Sequence, residues 1–277
     1  MRSNPQSTQM STRQAFRTIE VSDPALESDG LRWVTVKSAA LRRRADLSLW
    51  IPEEGKDRAM PLVILLHGVY GSHWAWALKG AAHRTAAELI RAGEIPPMVL
   101  AMPSDGLWGD GSGYARHSSG EDYAAWIMRE VPEAARAAVP ELPLEQSVFL
   151  SGLSMGGYGA LRLAALHGGA VRAASAHSAV TSFQGLASFA EEDLSRCGIP
   201  AEEDSLAEIM RARRGQLPPF RFDCGTDDAL LGDNRELAAT LSAAGIPHQY
   251  EEFPGGHEWP YWRRHFADSL RFFARYA

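Results

Sequence analysis

The sequence predicts a doubly wound α/β protein, in which a mostly parallel sheet carries helices on both faces, and three observations support this. Continuous apolar runs at 61–66 and 98–103 are typical of strands buried on both faces of a parallel sheet. Segments of helical composition alternate with such runs along the chain. A third apolar run, 148–153, leads into a serine between glycines and then into a helical segment rich in alanine and leucine.

The length of 277 residues favours one larger α/β domain over two small ones. We assign residues 1–20, which are polar and poor in apolar side chains, to a flexible N-terminal lead, and residues 21–277 to the domain. The formal net charge of −6 gives no indication of nucleic acid or an anionic membrane as a partner. No stretch approaches the length of a membrane span. The two cysteines, Cys197 and Cys224, are expected to be free thiols.

The remaining elements follow from local patterns. Alternating segments at 31–38 and 44–52 predict an antiparallel pair at an edge of the sheet. The helical segment 121–139 contains Pro132, which predicts either a kink or two shorter helices that meet there. Clustered charges and a helical apolar period over 183–217 predict a small helical insertion that partly covers the C-terminal side of the sheet. The other predicted elements are strands at 171–178, 220–228 and 249–253, and helices at 80–91, from a capping box at Asp233 to Gly245, and at 262–276.

The segment around Ser154 has the G-x-S-x-G pattern of a nucleophile elbow, a strained turn between a strand and a helix. Gly152 and Gly156 flank the serine because the turn is too tight for side chains on both sides. Such a turn lifts the serine hydroxyl clear of the sheet, to a place where the free N–H groups of the following helix favour a developing negative charge. Ser154 is therefore the candidate nucleophile.

A serine hydroxyl needs a base that takes its proton and an acid that orients this base. In this architecture the order along the chain is Ser, then Asp or Glu, then His. His257 has the right position, in a loop that follows a predicted strand and two glycines, while His117 and His177 are weaker candidates near the pocket. Asp227 and Asp228 compete for the role of the acid, and their spacing does not decide between them.

Backbone amides for an oxyanion hole are expected at two places. The strand at 61–66 ends in His67 and Gly68, and Gly68 allows the backbone to turn its N–H groups toward the reaction centre. The candidate donors are the amide of Val69 and the amide of Met155, directly after the proposed nucleophile.

Aromatic residues on loops near these strand ends are candidates for the substrate pocket. Trp108 and Tyr114 lie on a long glycine-rich loop, and Tyr70 follows the first candidate amide. Trp74 and Trp76 either line the pocket or pack their loop onto the helices, and the sequence leaves both interpretations open. We rank Trp108 and Tyr114 above Trp74 as pocket residues.

Four motifs occur in an order and spacing that match a known family. They are Leu65-Leu66-His67-Gly68, the segment from Gly152 to Ala160, Cys224-Gly225-Thr226-Asp227-Asp228, and Pro254-Gly255-Gly256-His257-Glu258-Trp259. Together they resemble the putative esterase family of α/β-hydrolases. This family includes esterase D and S-formylglutathione hydrolases, tributyrin and feruloyl esterases, and the mycolyltransferases. The resemblance covers roughly residues 30 to 275.

The resemblance implies an α/β-hydrolase fold with a small insertion near the active site. It places the acid at the last residue of the G-T-x-D turn, Asp228, and the oxyanion amides at Val69 and Met155. S-formylglutathione hydrolases usually carry a longer, cysteine-containing loop after His-Gly, where this sequence has the short segment 69–73. The chain therefore looks closer to the short-chain carboxylesterase and feruloyl-type branch.

We therefore expect a serine carboxylesterase that hydrolyses small acyl esters through Ser154, Asp228 and His257, without a metal or an organic cofactor. The alternatives are a thioesterase like the S-formylglutathione hydrolases, a feruloyl or acetyl carbohydrate esterase, an acyltransferase, and a non-catalytic binding protein of the same fold. The expected partner is a small-molecule acyl ester, not nucleic acid or a membrane, and a homodimer is left open. The first ten residues lack the apolar core of a secretory signal, so we expect a cytoplasmic enzyme.

Overall fold

The computed structural model of the chain describes residues 16–106 and 109–277. Within these residues the strands form one nine-stranded sheet in the order β1-β2-β3-β5-β4-β6-β7-β8-β9. The pairs from β1 to β5 at one end are antiparallel, and all pairs from β5 through β9 are parallel. The predicted mostly parallel sheet is therefore confirmed. The strands are β1 (Ile19–Val21), β2 (Leu31–Lys37), β3 (Arg44–Trp50), β4 (Met60–Leu66), β5 (Val99–Pro103), β6 (Leu144–Leu153), β7 (Val171–His177), β8 (Phe220–Gly225) and β9 (Gln249–Phe253).

The helices lie on both faces of this sheet, as predicted. On β4, Leu62 and its i+2 neighbours belong to the apolar core that packs against α3 to α7, whereas Val63 and Leu65 belong to the core under α1, α2 and α8. This alternation is the period-two geometry of a strand that is buried on both faces. The helices are α1 (Ala75–Leu78), α2 (Ala82–Arg91), α3 (Tyr123–Ala125), α4 (Val131–Ala138), α5 (Met155–Leu166), α6 (Leu206–Ala212), α7 (Leu231–Ala243) and α8 (Trp259–Ala274).

The N-terminal edge differs from the sequence-based prediction. The predicted pair of β2 and β3 is antiparallel, but β1 pairs with β2 and forms the edge of the sheet. Because β1 begins at Ile19 and Phe16 is buried, the end of the predicted lead, 16–20, is part of the fold. The rest of that lead lies outside the described residues.

The segment predicted as one helix at 121–139 is divided into parts. A side-chain oxygen of Asp122 accepts the amide of Ala125 at the start of α3, and a π-helical turn at Trp126–Glu130 joins α3 to α4. Pro132 lies in the first turn of α4, directly after the π-helical turn, and the residues at both junctions keep right-handed helical backbone angles. The three parts therefore form one continuous helical run from Tyr123 to Ala138, with a π-helical turn before the proline, rather than separate helices that meet there.

Two other helix starts are earlier than predicted. Helix α7 begins at Leu231, so Asp233 lies inside its first turn and the predicted capping box is wrong. Asp233 still contributes a negative charge near the positive end of the helix dipole. Helix α8 begins at Trp259, directly after the predicted histidine loop, with a proline in its first turn.

The segment 183–217 is a string of short helical pieces. Three 3₁₀ turns precede α6, and they are Gln184–Ser188, Leu194–Cys197 and Ala201–Glu203. The hydroxyl of Tyr158 on α5 donates to the carbonyls of Glu203 and Asp204, which attaches the insertion to the helix that follows the elbow. Both cysteines, Cys197 and Cys224, are buried and free, which confirms the expectation of free thiols.

No helix in the described part of the chain is long and apolar enough to cross a lipid bilayer.

A buried polar cluster joins β7, β8 and α8 beneath the C-terminal edge of the sheet. The Asp223 carboxylate lies 2.9 Å from His177 Nδ1 and 2.8 Å from the Arg221 guanidinium, and it accepts the hydroxyl of Tyr261 at 2.8 Å. His177 Nε2 lies 2.8 Å from the hydroxyl of Ser269. Burial raises the pKa of Asp223, but His177 and Arg221 outweigh this and hold the pKa below its usual value. The carboxylate is therefore an internal counter-charge that fixes three elements together.

Replacement of this carboxylate, as in Asp223→Asn, should lower the free energy of unfolding by about 3–5 kcal/mol, because it removes the buried negative charge shared by His177 and Arg221 and leaves the guanidinium only its pair with the half-exposed Glu251. In the wild type the contribution of Asp223 is complete above the unfolded-state pKa of about 3.9 and is lost as the pH falls through the lower folded-state pKa. Denaturant unfolding between pH 3 and 7 measures both effects, and the variant should lack this part of the acid dependence. The control is Glu252→Gln, which breaks the exposed pair with Arg235 and should change stability far less. Equal losses in the two variants would contradict the expectation.

Candidate active site

The site lies at the edge where the carboxyl ends of the parallel strands meet. Ser154 lies between β6 and α5 with φ 55° and ψ −121°, a backbone conformation that residues other than glycine rarely adopt. A Cβ atom on Gly152 would overlap the carbonyl of Gly156, and one on Gly156 would overlap the carbonyl of Leu66. The backbone is therefore packed too closely for side chains at both flanking positions, as the elbow pattern predicts.

Three backbone hydrogen bonds hold this strained residue. The amide of Ser154 donates to the carbonyl of His177 at the end of β7, at 3.0 Å. The carbonyl of Ser154 accepts from the amides of Tyr158 at 3.1 Å and Val180 at 3.2 Å. Strain of this kind persists only where the surroundings over-determine the conformation, and it is concentrated at functional sites.

The structure brings the side chains of Ser154, His257 and Asp228 together in a single hydrogen-bonded row. His257 Nε2 lies 3.0 Å from the Ser154 hydroxyl, and Nδ1 lies 2.9 Å from the Asp228 carboxylate. Because a carboxylate only accepts, Nδ1 donates to Asp228 and Nε2 is left to accept the serine proton. The serine is 2% exposed and the histidine side chain 26%, so the row lies at the floor of an opening to solvent.

The Asp228 carboxylate is buried and accepts several hydrogen bonds. Its side chain accepts the amide of Leu230 at 2.9 Å, in addition to Nδ1 of His257. The hydroxyl of Ser178, which accepts the indole N–H of Trp262 at 3.3 Å, also helps to lower the pKa of Asp228. Burial raises the pKa of Asp228, but these hydrogen bonds outweigh it and hold the pKa below its ordinary value. The carboxylate is therefore ionised well into the acid range.

The other aspartate of the pair, Asp227, does not contact His257 through its side chain and instead joins two loops through its backbone. Its side chain is exposed, and its amide donates to the carbonyl of Gly255 at 2.9 Å. The amide of Thr226 donates to the carbonyl of Phe253 at 2.8 Å. The turn that carries Asp228 and the loop that carries His257 are thus joined through their backbones, which sets the distance between the acid and the base.

The two candidate oxyanion amides belong to residues next to the serine hydroxyl. Val69 lines the same cavity as Ser154, and Met155 is the first residue of α5, where an amide has no partner within the helix. Within the residues that the structure describes, neither amide donates a hydrogen bond to another protein group. Both N–H groups are thus available to an oxygen atom bound beside Ser154.

The other candidate histidines make different contacts. Nδ1 of His67 lies 2.7 Å from the carbonyl of Gly68, and Nε2 accepts the amide of Asp105 at 3.2 Å, so this ring braces the loop that carries Val69. His177 belongs to the buried cluster with Asp223, and His117 Nε2 lies 2.8 Å from the carbonyl of Ser112.

A cavity of about 250 Å³ opens beside the serine hydroxyl. Its wall is mostly aromatic and aliphatic, and the elements that supply it are the loop after β4, helix α1 and the start of α8. The lining side chains and backbone segments are His67, Gly68, Val69, Tyr70, Gly71, Trp74, Ala75, Lys79, Leu153, Ser154, His257, Trp259 and Trp262. A concave apolar wall with a few polar groups at one point is typical of a small-molecule site.

The pocket predictions have mixed outcomes. Tyr70 lines the cavity, as expected, and so does Trp74, which the sequence analysis ranked lower. Tyr114 does not line it, since its ring is fully buried and its hydroxyl donates to the carbonyl of His67 at 3.0 Å. Trp76 is buried and packs its helix, with its indole N–H donating to the carbonyl of Leu66. Trp108 lies outside the described residues.

Sequence reasoning missed two residues that contact the row. Ser178, at φ 47°, reaches Asp228 directly after β7, and Phe189 of the insertion stacks on the His257 ring at 5.8 Å between centroids. The tyrosine hydroxyl of Tyr70 donates to the carbonyl of Phe189, so the insertion is attached to the loop of the candidate oxyanion amide. A serine after a strand and a lone phenylalanine in a polar segment give no signal of these contacts in the sequence.

The fold and this arrangement define a class of protein, the ester hydrolases of the α/β-hydrolase fold. A family model described as putative esterase matches residues 38–273, so the chain belongs to the putative esterase family. An acetyl esterase of Caldicellulosiruptor saccharolyticus is 26% identical over 229 residues, which cover 76% of this chain and 82% of that protein.

Two further similarities have lower identity but cover more of the chain. An S-formylglutathione hydrolase of Mus musculus is 24% identical over 260 residues, which cover 86% of this chain and 91% of that protein. The solved structure of a ferulic acid esterase has a TM-score of 0.77 and 24% identity, and the match covers 94% of this chain and 99% of that one. At this identity the structural match establishes the shared fold.

A methyl group at the elbow, introduced by Gly152→Ala, should prevent the close approach to the Gly156 carbonyl. We expect a loss of at least about 3 kcal/mol in unfolding free energy, or failure to fold, because neither partner in the overlap is a flexible side chain. Thermal unfolding and soluble yield measure this. The matched control is Gly169→Ala, where the added Cβ meets nothing within 4 Å. A stable Gly152→Ala variant with an unchanged melting temperature would show that the turn is looser than described.

Proposed function

We propose that this protein is a serine carboxylesterase that hydrolyses small acyl esters through a Ser154–His257–Asp228 triad. The observation that carries the proposal is the row itself, in which a serine on a strained elbow lies 3.0 Å from an imidazole whose other nitrogen lies 2.9 Å from a buried carboxylate. This is the arrangement of nucleophile, base and orienting acid that acyl transfer requires. Membership in an esterase family supports the reaction class.

In the proposed reaction His257 Nε2 takes the proton of the Ser154 hydroxyl as the oxygen attacks the ester carbonyl. The tetrahedral intermediate collapses to an acyl-enzyme when the imidazolium returns the proton to the leaving alcohol. Water then attacks the acyl carbonyl, with His257 again as the base, and the serine is released. The Asp228 carboxylate keeps the proton on Nδ1 and stabilises the imidazolium, which fits a carboxylate that stays ionised in the acid range.

The oxyanion of this intermediate would accept from the amides of Val69 and Met155. Each donor of this type contributes on the order of 3 kcal/mol to the transition state in related chemistry. Support comes from the lack of any other acceptor for these two amides among the described residues. A further support is the brace of His67, which fixes the loop before the Val69 amide.

The size of the substrate follows from the cavity. A volume of about 250 Å³ next to Ser154 accepts a short acyl chain or one aromatic ring, and its wall offers mainly apolar contact. The similarity to an acetyl esterase supports the same scale of substrate. We therefore propose short-chain and small aromatic esters as substrates.

The nucleophile is tested with Ser154→Ala, which should lower kcat for 4-nitrophenyl acetate and butyrate by about 10⁶-fold, because the acyl-enzyme cannot form. A fluorophosphonate probe should label the wild type at Ser154, as read by mass spectrometry of the labelled peptide. The control is Ser72→Ala, which removes another buried serine in the loop after β4 and should keep the labelling. Equal hydrolysis by wild type and Ser154→Ala would sink the proposal.

The choice of acid is tested by a pair of neighbouring substitutions. Asp228→Asn should lower kcat by about 10⁴-fold, because an amide that donates to Nδ1 favours the wrong tautomer of His257. Asp227→Asn removes an exposed carboxylate that does not contact the imidazole, so its loss should be far smaller. The same ester assay measures both, with circular dichroism to verify folding. A larger loss of kcat in Asp227→Asn than in Asp228→Asn would show that Asp227, and not Asp228, is the acid.

A further inference from the structure

One charged side chain that lines the cavity beside Ser154, Lys79, has no role in the proposed hydrolysis. Lys79, at the C-terminal end of α1, is the one lysine or arginine among the described residues that line the cavity. Its ammonium lies 5.6 Å from the centroid of the Trp259 ring, so a cation–π contact holds it on the cavity wall. In the described part of the chain Lys79 forms no ion pair, and its charge is not neutralised by a protein carboxylate.

The surroundings add to this positive charge. The guanidinium of Arg263, on α8, donates to the backbone carbonyl of Lys79 at 2.7 Å, which brings a second cation to the end of α1. Arg263 also forms no ion pair within the described residues. Three acidic side chains, Asp110, Glu191 and Glu192, act on the Tyr70 hydroxyl, so the cavity has acidic groups near Tyr70 and its lining cation at Lys79.

Aromatic rings connect the ammonium to the reacting groups. The rings of Trp259 and Trp262 are 5.3 Å apart, and the ring of Trp262 is 5.0 Å from the His257 imidazole. A substrate with its ester carbonyl at Ser154 and its body along these two rings would therefore place its far end at Lys79. An ammonium without a carboxylate partner favours an anion at that place, and because Lys79 is exposed this attraction is modest and screened by salt.

We propose that Lys79 is a subsite for an anionic group, and that the preferred substrates are small esters with a carboxylate about one ring length from the scissile bond. This inference rests on the proposed esterase function and names its substrate class. The carboxylate belongs either to the acyl part or to the leaving group, and the two sources share the same chemistry at Lys79.

The experiment compares kcat/KM for charged and neutral ester pairs at 0.15 M salt. The pair 4-acetoxybenzoate and 4-acetoxybenzamide places the charge on the leaving group, and mono(4-nitrophenyl) adipate and 4-nitrophenyl hexanoate place it on the acyl part. For one of the pairs, Lys79→Met should lower the ratio of anionic to neutral kcat/KM by about threefold, and Lys79→Glu should lower it further. Lys79→Arg, which keeps the charge, should retain most of the ratio.

The control is Lys37→Met, which removes the same charge from an exposed position on β2 and should leave both ratios unchanged. An unchanged ratio in Lys79→Met for both pairs would overturn the subsite, as would an equal fall in Lys37→Met. The ratio separates a charge effect from a packing effect, since lost packing against Trp259 lowers kcat/KM for both the anionic and the neutral ester of a pair.

A binding measurement keeps this test independent of hydrolysis. Calorimetric titration of Ser154→Ala with 4-acetoxybenzoate should give a Kd about threefold lower than that of the double variant Ser154→Ala with Lys79→Met, whereas the Kd of 4-acetoxybenzamide should differ little between them. If the wild type cleaves no ester, the proposed function fails, and the titration still decides the anion subsite. Equal affinities in both variants for 4-acetoxybenzoate and also for mono(4-nitrophenyl) adipate would then reject it.

Discussion

The close approach of two backbone segments at the elbow is the constraint on which the rest of the site depends. The carbonyl of Gly156 occupies the space that a side chain at Gly152 would need, and this contact forces the backbone of Ser154 into its unusual conformation. The same packing presses α5 against the end of β4, since the Leu66 carbonyl lies where a Cβ of Gly156 would be. The serine hydroxyl is thus placed by backbone atoms, which have no rotamers to adjust.

The neighbouring strand supplies the second layer of support. The carbonyl of His177 accepts the amide of Ser154, while its imidazole is held in the buried cluster around Asp223. The next residue, Ser178, donates its amide to the carbonyl of Asp223 at 2.7 Å and contacts the Asp228 carboxylate through its side chain. A single strand end therefore connects the backbone of the serine, the orienting carboxylate and the internal counter-charge. The polar cluster contributes to the geometry of the site as well as to stability.

Most of the fold, and the residues of the hydrogen-bonded row at the site, could be predicted from the sequence. Strands buried on both faces produce long apolar runs, and a crowded turn demands glycine, so β4, β5, β6 and the elbow leave clear patterns. The order along the chain then selected His257, and only the resemblance to a family selected Asp228 over its neighbour. Spacing alone could not do so, because two adjacent aspartates fit the same place in the order of motifs, and only the folded turn determines which side chain faces His257.

Other contacts depend on the path of the chain in three dimensions. Tyr114 is on a glycine-rich loop, which suggested a pocket residue, but it adopts φ 53° and its ring packs beneath the His67 loop. Strand β1 has three residues, too few for an alternating pattern. Ser178 and Phe189 reach the row through folding of β7 and of the insertion, and neither residue type is informative by itself.

The attachment of the insertion to the loop after β4 bears on how this scaffold can be re-engineered or diversified. The Tyr70 hydroxyl donates to the Phe189 carbonyl, and in the loop after β5 the amide of Asp110 donates to the Glu192 carboxylate while its own carboxylate accepts the amide of Glu191. Segment 183–217 therefore cannot be exchanged without regard to the loops that it is hydrogen-bonded to. A grafted segment without an acid at the position of Glu192 would remove the acceptor of the Asp110 amide, and the carbonyl of Asp110 in turn accepts the amide of Tyr70 at 2.8 Å. Transplantation of the loop and the segment as one unit preserves the junction.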